Sequence, residues 1–161
     1  MAIIPFDVPA KFAGIHNHQE HYGVRLAKQF QQEFLKTGEV QIVEVFNRKS
    51  WPGKTEDFFA GNYQAIQYAY NAGYDLVLVG HMEEIRNEEE FVVFTKLIDT
   101  AQGITVWSSK TTAFAKDKEY TRYLAAANLA TQRPDLFYFR KQTDLLTACT
   151  VNEMIHSDVV P

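Results

Sequence analysis

Three imidazoles, His16, His18 and His21, fall within six residues, and histidines this close can ligate a transition metal. The set is incomplete, because Glu20 is the only nearby carboxylate and no cysteine is adjacent. His16 and His18 point the same way only on an extended loop, whereas His21 opens a helix. A solvated loop is the preferred reading, with these three as the candidate metal ligands. Gly53-Lys54-Thr55 repeats the close of a phosphate-binding loop, in which backbone amides and the lysine hold phosphates and the hydroxyl meets magnesium. The glycine that this pattern needs five residues upstream is Arg48, and no helix is expected to start at Thr55. No cofactor is therefore expected. Glu83, Glu84, Glu88, Glu89 and Glu90 crowd one turn but lack the alternating oxygen ligands and central glycine of a calcium loop. They read as a solvated acidic turn, in which Glu88 and Glu89 would meet a basic partner. There is no Ser-His-Asp order, nucleophile elbow or paired carboxylate, and His81 and Asp99 have structural explanations. The chain reads as non-enzymatic.

A different chemistry is offered by Trp51, Pro52, Phe58 and Phe59. These aromatics cap the core, which is the preferred reading, or, if exposed, make an apolar contact patch. Trp51, Phe58 and Phe59 are thus the candidate interaction residues.

Length and composition narrow the setting. A chain of 161 residues can bury roughly two thirds of its unfolded surface without staples. Hydrophobic residues at 46% and aromatics at 14% exclude a disordered tail. A net charge of −4 without a basic cluster argues against nucleic acid, which needs a cationic field. Cys149 alone permits neither an internal disulfide nor a cysteine-based zinc site, and it reads as a small apolar residue on a helix. No stretch approaches the roughly 20 apolar residues of a membrane span, and the start has no basic or apolar leader region.

The elements that must carry these residues follow from local pattern. Ile3, Ile4 and Phe6 make a short strand stopped by Pro5 and Pro9. Over residues 19–36, Tyr22, Leu26, Phe30 and Phe34 recur at helical spacing, and Gly38 ends the helix. Residues 40–46 (VQIVEVF) alternate as a second strand, 47–62 read as a long irregular loop, and 63–71 as a helix closed by Gly73. Leu76-Val77-Leu78-Val79 is solidly apolar, as a central strand buried on both faces requires. A fourth strand ends in Asp99-Thr100-Ala101-Gln102-Gly103, where Asp folds onto its own backbone and Gly takes positive φ, and a fifth strand with Ile104, Val106 and Trp107 returns beside it. Helical composition at 118–130 is broken by Arg133-Pro134-Asp135 and resumes over about 136–156. The expected fold is α/β, a single domain over 1–161 with a mixed five-stranded sheet in β-α-β-α-β-β-β order. Helices pack on the sheet of the core (about 2–115), and a helical C-terminal extension covers about 118–157.

The segments IIPF (3–6), LKTGEVQIVEV (35–45), DLVLVG (75–80) and LIDTAQGITVWSS (97–109), in this order, resemble a group of bacterial envelope domains. The group comprises the TolB N-terminal domain, CsgG, LpoB and PelC. Its first strand commonly reads like VLPF, its third like DYVLVG, and its last hairpin ends in a glycine turn followed by tryptophan. The resemblance covers about residues 2–115. It implies a periplasmic, often outer-membrane-anchored accessory protein that serves secretion, polysaccharide export or cell-wall synthesis by contact or ring assembly. An exported precursor would carry its signal, and any acylated cysteine, upstream of Met1. The resemblance also implies envelope protein partners and homo-oligomers. The loop 48–61 and the helical tail depart from the group and are where a particular function would sit. The alternative is an α/β enzyme or small-ligand or metal-binding domain that uses the loops at 16–21 and 51–59.

Overall fold

The computed structural model describes residues 1–8, 19–46, 54–83, 90–114 and 134–157. The strands are β1 (Ala2–Ile3), β2 (Glu44–Val45), β3 (Leu76–Met82), β4 (Glu90–Asp99) and β5 (Ile104–Phe114). They form one five-stranded sheet in the order β2-β1-β3-β4-β5. β2, β1 and β3 run parallel, and β4 and β5 extend the sheet antiparallel. The helices are α1 (Gln19–Thr37), α2 (Lys54–Ala60), α3 (Tyr63–Asn71) and α4 (Pro134–Ile155).

From β1 the chain crosses through α1 to β2 on one side, and from β2 it crosses through α2 and α3 back past β1 to β3. Crossovers of one hand that run in opposite directions put their helices on opposite faces of a sheet. Two cores result. On one face Tyr22, Leu26, Phe30 and Phe34 of α1 and Leu146, Val151 and Met154 of α4 meet Leu78, Val93 and Leu97. On the other, Phe58 of α2 and Ala65 and Ala69 of α3 meet Val77, Val79 and Ile98. β3 is buried from Val77 to Gly80 because both layers cover it, as its unbroken apolar run predicts.

Phe6, just beyond β1, fixes the spacing of these layers. Its ring lies where a Cβ on Gly80 would sit, 2.0 Å from Phe6 Cε1, and it stacks on Phe30 of α1 at 4.8 Å between centroids. Its backbone presses equally close to α1, since a Cβ on Gly23 would lie 2.0 Å from the Phe6 carbonyl oxygen. That contact lets the Phe6 amide donate to the Gly23 carbonyl at 3.1 Å.

The β4–β5 hairpin turns as its sequence predicts. Asp99 Oδ1 accepts the Gln102 amide at 2.8 Å, and Gly103 closes the turn at φ +68°. Thr100 ties the turn to the start of β3, its hydroxyl donating to the carbonyls of Tyr74 at 2.5 Å and Asp75 at 3.1 Å. α1 and α3 match their expected spans.

Two expectations are corrected. The residues read as an irregular loop over 47–62 include α2, and the helix not expected at Thr55 begins at Lys54. Of the strand read over 40–46, only Glu44–Val45 joins the ladder, because β1 offers only Ala2 and Ile3 as partners; the Met1 amino group on the Ile42 carbonyl and the Glu44 amide on the Met1 carbonyl carry the parallel pattern one step further. The helical stretch read at 118–130 lies outside the described residues. Cys149, read as an apolar residue on a helix, is on α4 but faces outward.

Gly80→Ala should lower stability by about 3 kcal/mol in urea unfolding, the upper part of the usual overpacking range. Combining it with Phe6→Leu should cost less than the sum of the single changes, because the smaller side chain vacates the contested space.

Candidate functional site

β1 is flanked by the strand that precedes α2 and by the strand that follows α3, so the chain reverses its direction of travel between β1 and β3. Open α/β sheets bind ligands in the crevice beyond the carboxyl ends of the strands at such a point. The polar side chains at those two ends are Asp7, just past β1, and His81, in the last two residues of β3. They form an isolated parallel bridge, in which the Asp7 amide donates to the Gly80 carbonyl and the Met82 amide to the Asp7 carbonyl, each at 2.9 Å.

The side chains repeat the pairing. Asp7 Oδ2 lies 2.7 Å from His81 Nδ1 and accepts the Thr55 hydroxyl at 2.6 Å. The carboxylate thus joins β1, β3 and the first turn of α2. A carboxylate on Nδ1 fixes the imidazole so that Nε2 carries the lone pair of the neutral ring. Such a histidine can accept a proton or a hydrogen bond at Nε2. Among the described residues no group of three or more potential ligands could hold a metal ion.

Aromatic rings enclose the imidazole. Phe59 meets it edge-on at 5.3 Å, Phe58 lies tilted at 5.8 Å, and Phe94 stacks at 6.4 Å. Sheet register explains Phe94, since His81 pairs with Phe94 and Phe94 with Lys110 across β3, β4 and β5. Lys110 Nζ lies 5.2 Å above the Phe94 ring, and Lys96 Nζ lies 4.2 Å above Phe58. Lys96 also donates to the Phe58 carbonyl at 2.6 Å, one of the end carbonyls that a short helix cannot satisfy by itself. Burial holds the Lys96 amine below its ordinary pKa.

The residues singled out from sequence separate here. Phe58 is 4% exposed and belongs to the core, whereas its neighbour Phe59 is 67% exposed over His81. Asp57 and Asn62 hold this arrangement. The Asp57 carbonyl accepts the amides of Gly61 at 3.2 Å and Asn62 at 2.7 Å, and its carboxylate accepts those of Gln64 at 3.3 Å and Ala65 at 3.4 Å at the start of α3. Asn62 sits at φ 60° between the helices. Trp51, Glu88, Glu89, His16 and His18 lie outside the described residues. His21 is in the first turn of α1. Glu83 approaches Lys110 at 3.9 Å. Thr55, weighed as a phosphate-loop hydroxyl, serves Asp7. Asp7 itself is new, and the reversal of strand order would have pointed to it once β1 and β3 were placed side by side.

Neither a protein-family model nor a curated protein matches the chain. Solved structures do. Protein XCC0632 from Xanthomonas campestris is similar at a TM-score of 0.55 and 10% identity, over 93% of this chain and 80% of that one. The hypothetical protein CT253 from Chlamydia trachomatis is similar at 0.52 and 9% identity, over 92% and 93%. Both share this fold. A PelC dodecamer from Paraburkholderia phytofirmans matches at 0.49 and 16% identity, over 91% and 82%.

Asp7→Ala should cost about 2 kcal/mol in urea unfolding, since two donors lose their acceptor, and Thr55→Val about 1 kcal/mol. The double variant should lose less than the sum. Because folding lowers the Lys96 pKa, the unfolded chain holds more protons just below pH 10.5. Stability therefore rises with pH in that alkaline window. Lys96→Met should flatten that rise relative to the parent, as measured by unfolding across the window.

Proposed function

We propose that this protein is a non-enzymatic accessory of the bacterial cell envelope that acts by protein contact and self-association. The observation that carries the reading is the placement of the resembling segments. IIPF runs from β1 to the Gly80 slot, DLVLVG enters central β3, and LIDTAQGITVWSS is the β4–β5 hairpin, so the motifs share one sheet in their expected order. The support extends to the surface. Phe59 over His81, with Tyr63 and Tyr70 exposed on α3, supplies aromatic contact area of the kind concentrated at protein interfaces. Self-association would use the sheet edge and the helix faces, where Ile104 and Leu145 are also exposed.

On this reading the protein works in the periplasm at the outer membrane, in secretion or polysaccharide export, with any membrane attachment supplied by a lipid anchor. No helix among the described residues is long and apolar enough to cross a membrane. Phe59 and Trp51, with Glu88 and Glu89, would form the contact surface over the buried Phe58, and the whole chain would act as one domain.

The pairing of Asp7 with His81 at the strand reversal favours a second reading, an α/β enzyme or small-ligand domain. Light scattering separates the two. A mass that is a multiple of 18.5 kDa, reduced by Phe59→Asp with less than about 0.5 kcal/mol change in stability, is the expected result. A strictly monomeric protein, whose cellular role is abolished by His81→Ala and untouched by Phe59→Asp, would support the second reading instead. Fractionation of the native cell should place the protein in the periplasmic or outer-membrane fraction.

A further inference from the structure

The end of the sheet opposite His81 carries a separate feature. Around the starts of β1 and β3, the α1–β2 connection and the close of β4 lies an open groove of ≈ 780 Å³. Met1, Val40, Leu76 and Val106 supply its apolar surface, which is continuous with the core beneath α1 and α4. Ile42, 63% exposed, stands at its wall.

The polar lining is one-sided. Glu39, Asp75 and Asp99 face the groove, and among the described residues no lysine, arginine or histidine lines it. The single cationic group among the lining residues is the Met1 ammonium, which donates to the Ile42 carbonyl at 2.9 Å. Asp99 is partly occupied by the Gln102 amide. Glu39 and Asp75 take part in none of the ion pairs between described residues. Glu39, and Asp75 with the Met1 ammonium within its field, therefore border an exposed aliphatic surface.

We propose that this groove docks a basic amphipathic segment of a partner polypeptide, with lysine or arginine on Asp75 and Glu39 and aliphatic side chains on Ile42, Leu76 and Val106. Charge complementarity selects this occupant. An acidic segment would meet like charge, and a purely apolar one would desolvate the carboxylates without pairing them. A second copy of this chain, at net charge −4, would approach against the same field. The groove and the Phe59 surface lie at opposite ends of the strands, so one molecule can hold two partners at once. This inference stands on the groove alone and survives if the envelope reading fails.

The test titrates the folded protein with two short amidated peptides, one alternating lysine with leucine and one alternating glutamate with leucine, followed by backbone amide NMR shifts. The lysine peptide should move the amides of Ile42, Asp75 and Leu76 and bind about tenfold more weakly to Asp75→Lys and to Ile42→Asp. Its affinity should fall as salt is raised, and the glutamate peptide should leave those amides unmoved. Both substituted positions are exposed, so circular dichroism should match the parent. Absence of lysine-peptide binding, equal binding of both peptides, or shifts centred on Phe59 would overturn the proposal.

Discussion

The contact on which the other features rest is the Phe6 ring in the space above Gly80. An aromatic side chain lying where a Cβ would be locks the end of β1 against β3, and its stack on Phe30 brings α1 down onto the same point. Gly23 completes the arrangement by letting the helix backbone meet the Phe6 carbonyl. Close packing of this kind tolerates little adjustment, because interiors have no spare volume into which to shift. One residue further on, Asp7 is therefore delivered beside His81. The polar pairing at the strand ends follows from an apolar fit made one step earlier in the chain.

Much of this fold is legible in local pattern, and the reasons differ by element. α1 announces itself through Tyr22, Leu26, Phe30 and Phe34, a stripe that needs no knowledge of its partner. β3 reads as central because both neighbouring layers demand apolar side chains of it, and the hairpin reads from Asp99 and Gly103 because its turn chemistry is local. α2 escapes because seven residues with a single buried aromatic, Phe58, leave no repeat to detect. The second strand is overestimated because alternation records which residues can pair, while β1 offers only Ala2 and Ile3 for it to pair with. Asp7 and His81 lie 74 residues apart, and only the strand order joins them.

The two ends of the strands carry opposite chemistry on one scaffold. Toward the carboxyl ends of β1 and β3, aromatic rings flank a histidine already paired with a carboxylate, and the amines of Lys96 and Lys110 lie over two of those rings. At the other end, carboxylates border aliphatic side chains. Neither character follows from the net charge, which averages over both. Their separation comes from the crossovers, which send the connections after β1 and β3 to one end and those before β2 and β3 to the other.

The lengths of the outer strands have a geometric consequence for assembly. β2 contributes two residues to one margin of the sheet, and β5 contributes eleven to the other. A ribbon of sheets joined edge to edge needs two pairing margins on every copy, one to receive and one to offer. Among the described residues this sheet has one of useful length. Strand pairing between copies would therefore join β5 to β5 about a twofold axis and stop at two, so any larger ring must be closed by surfaces other than the backbone of the sheet.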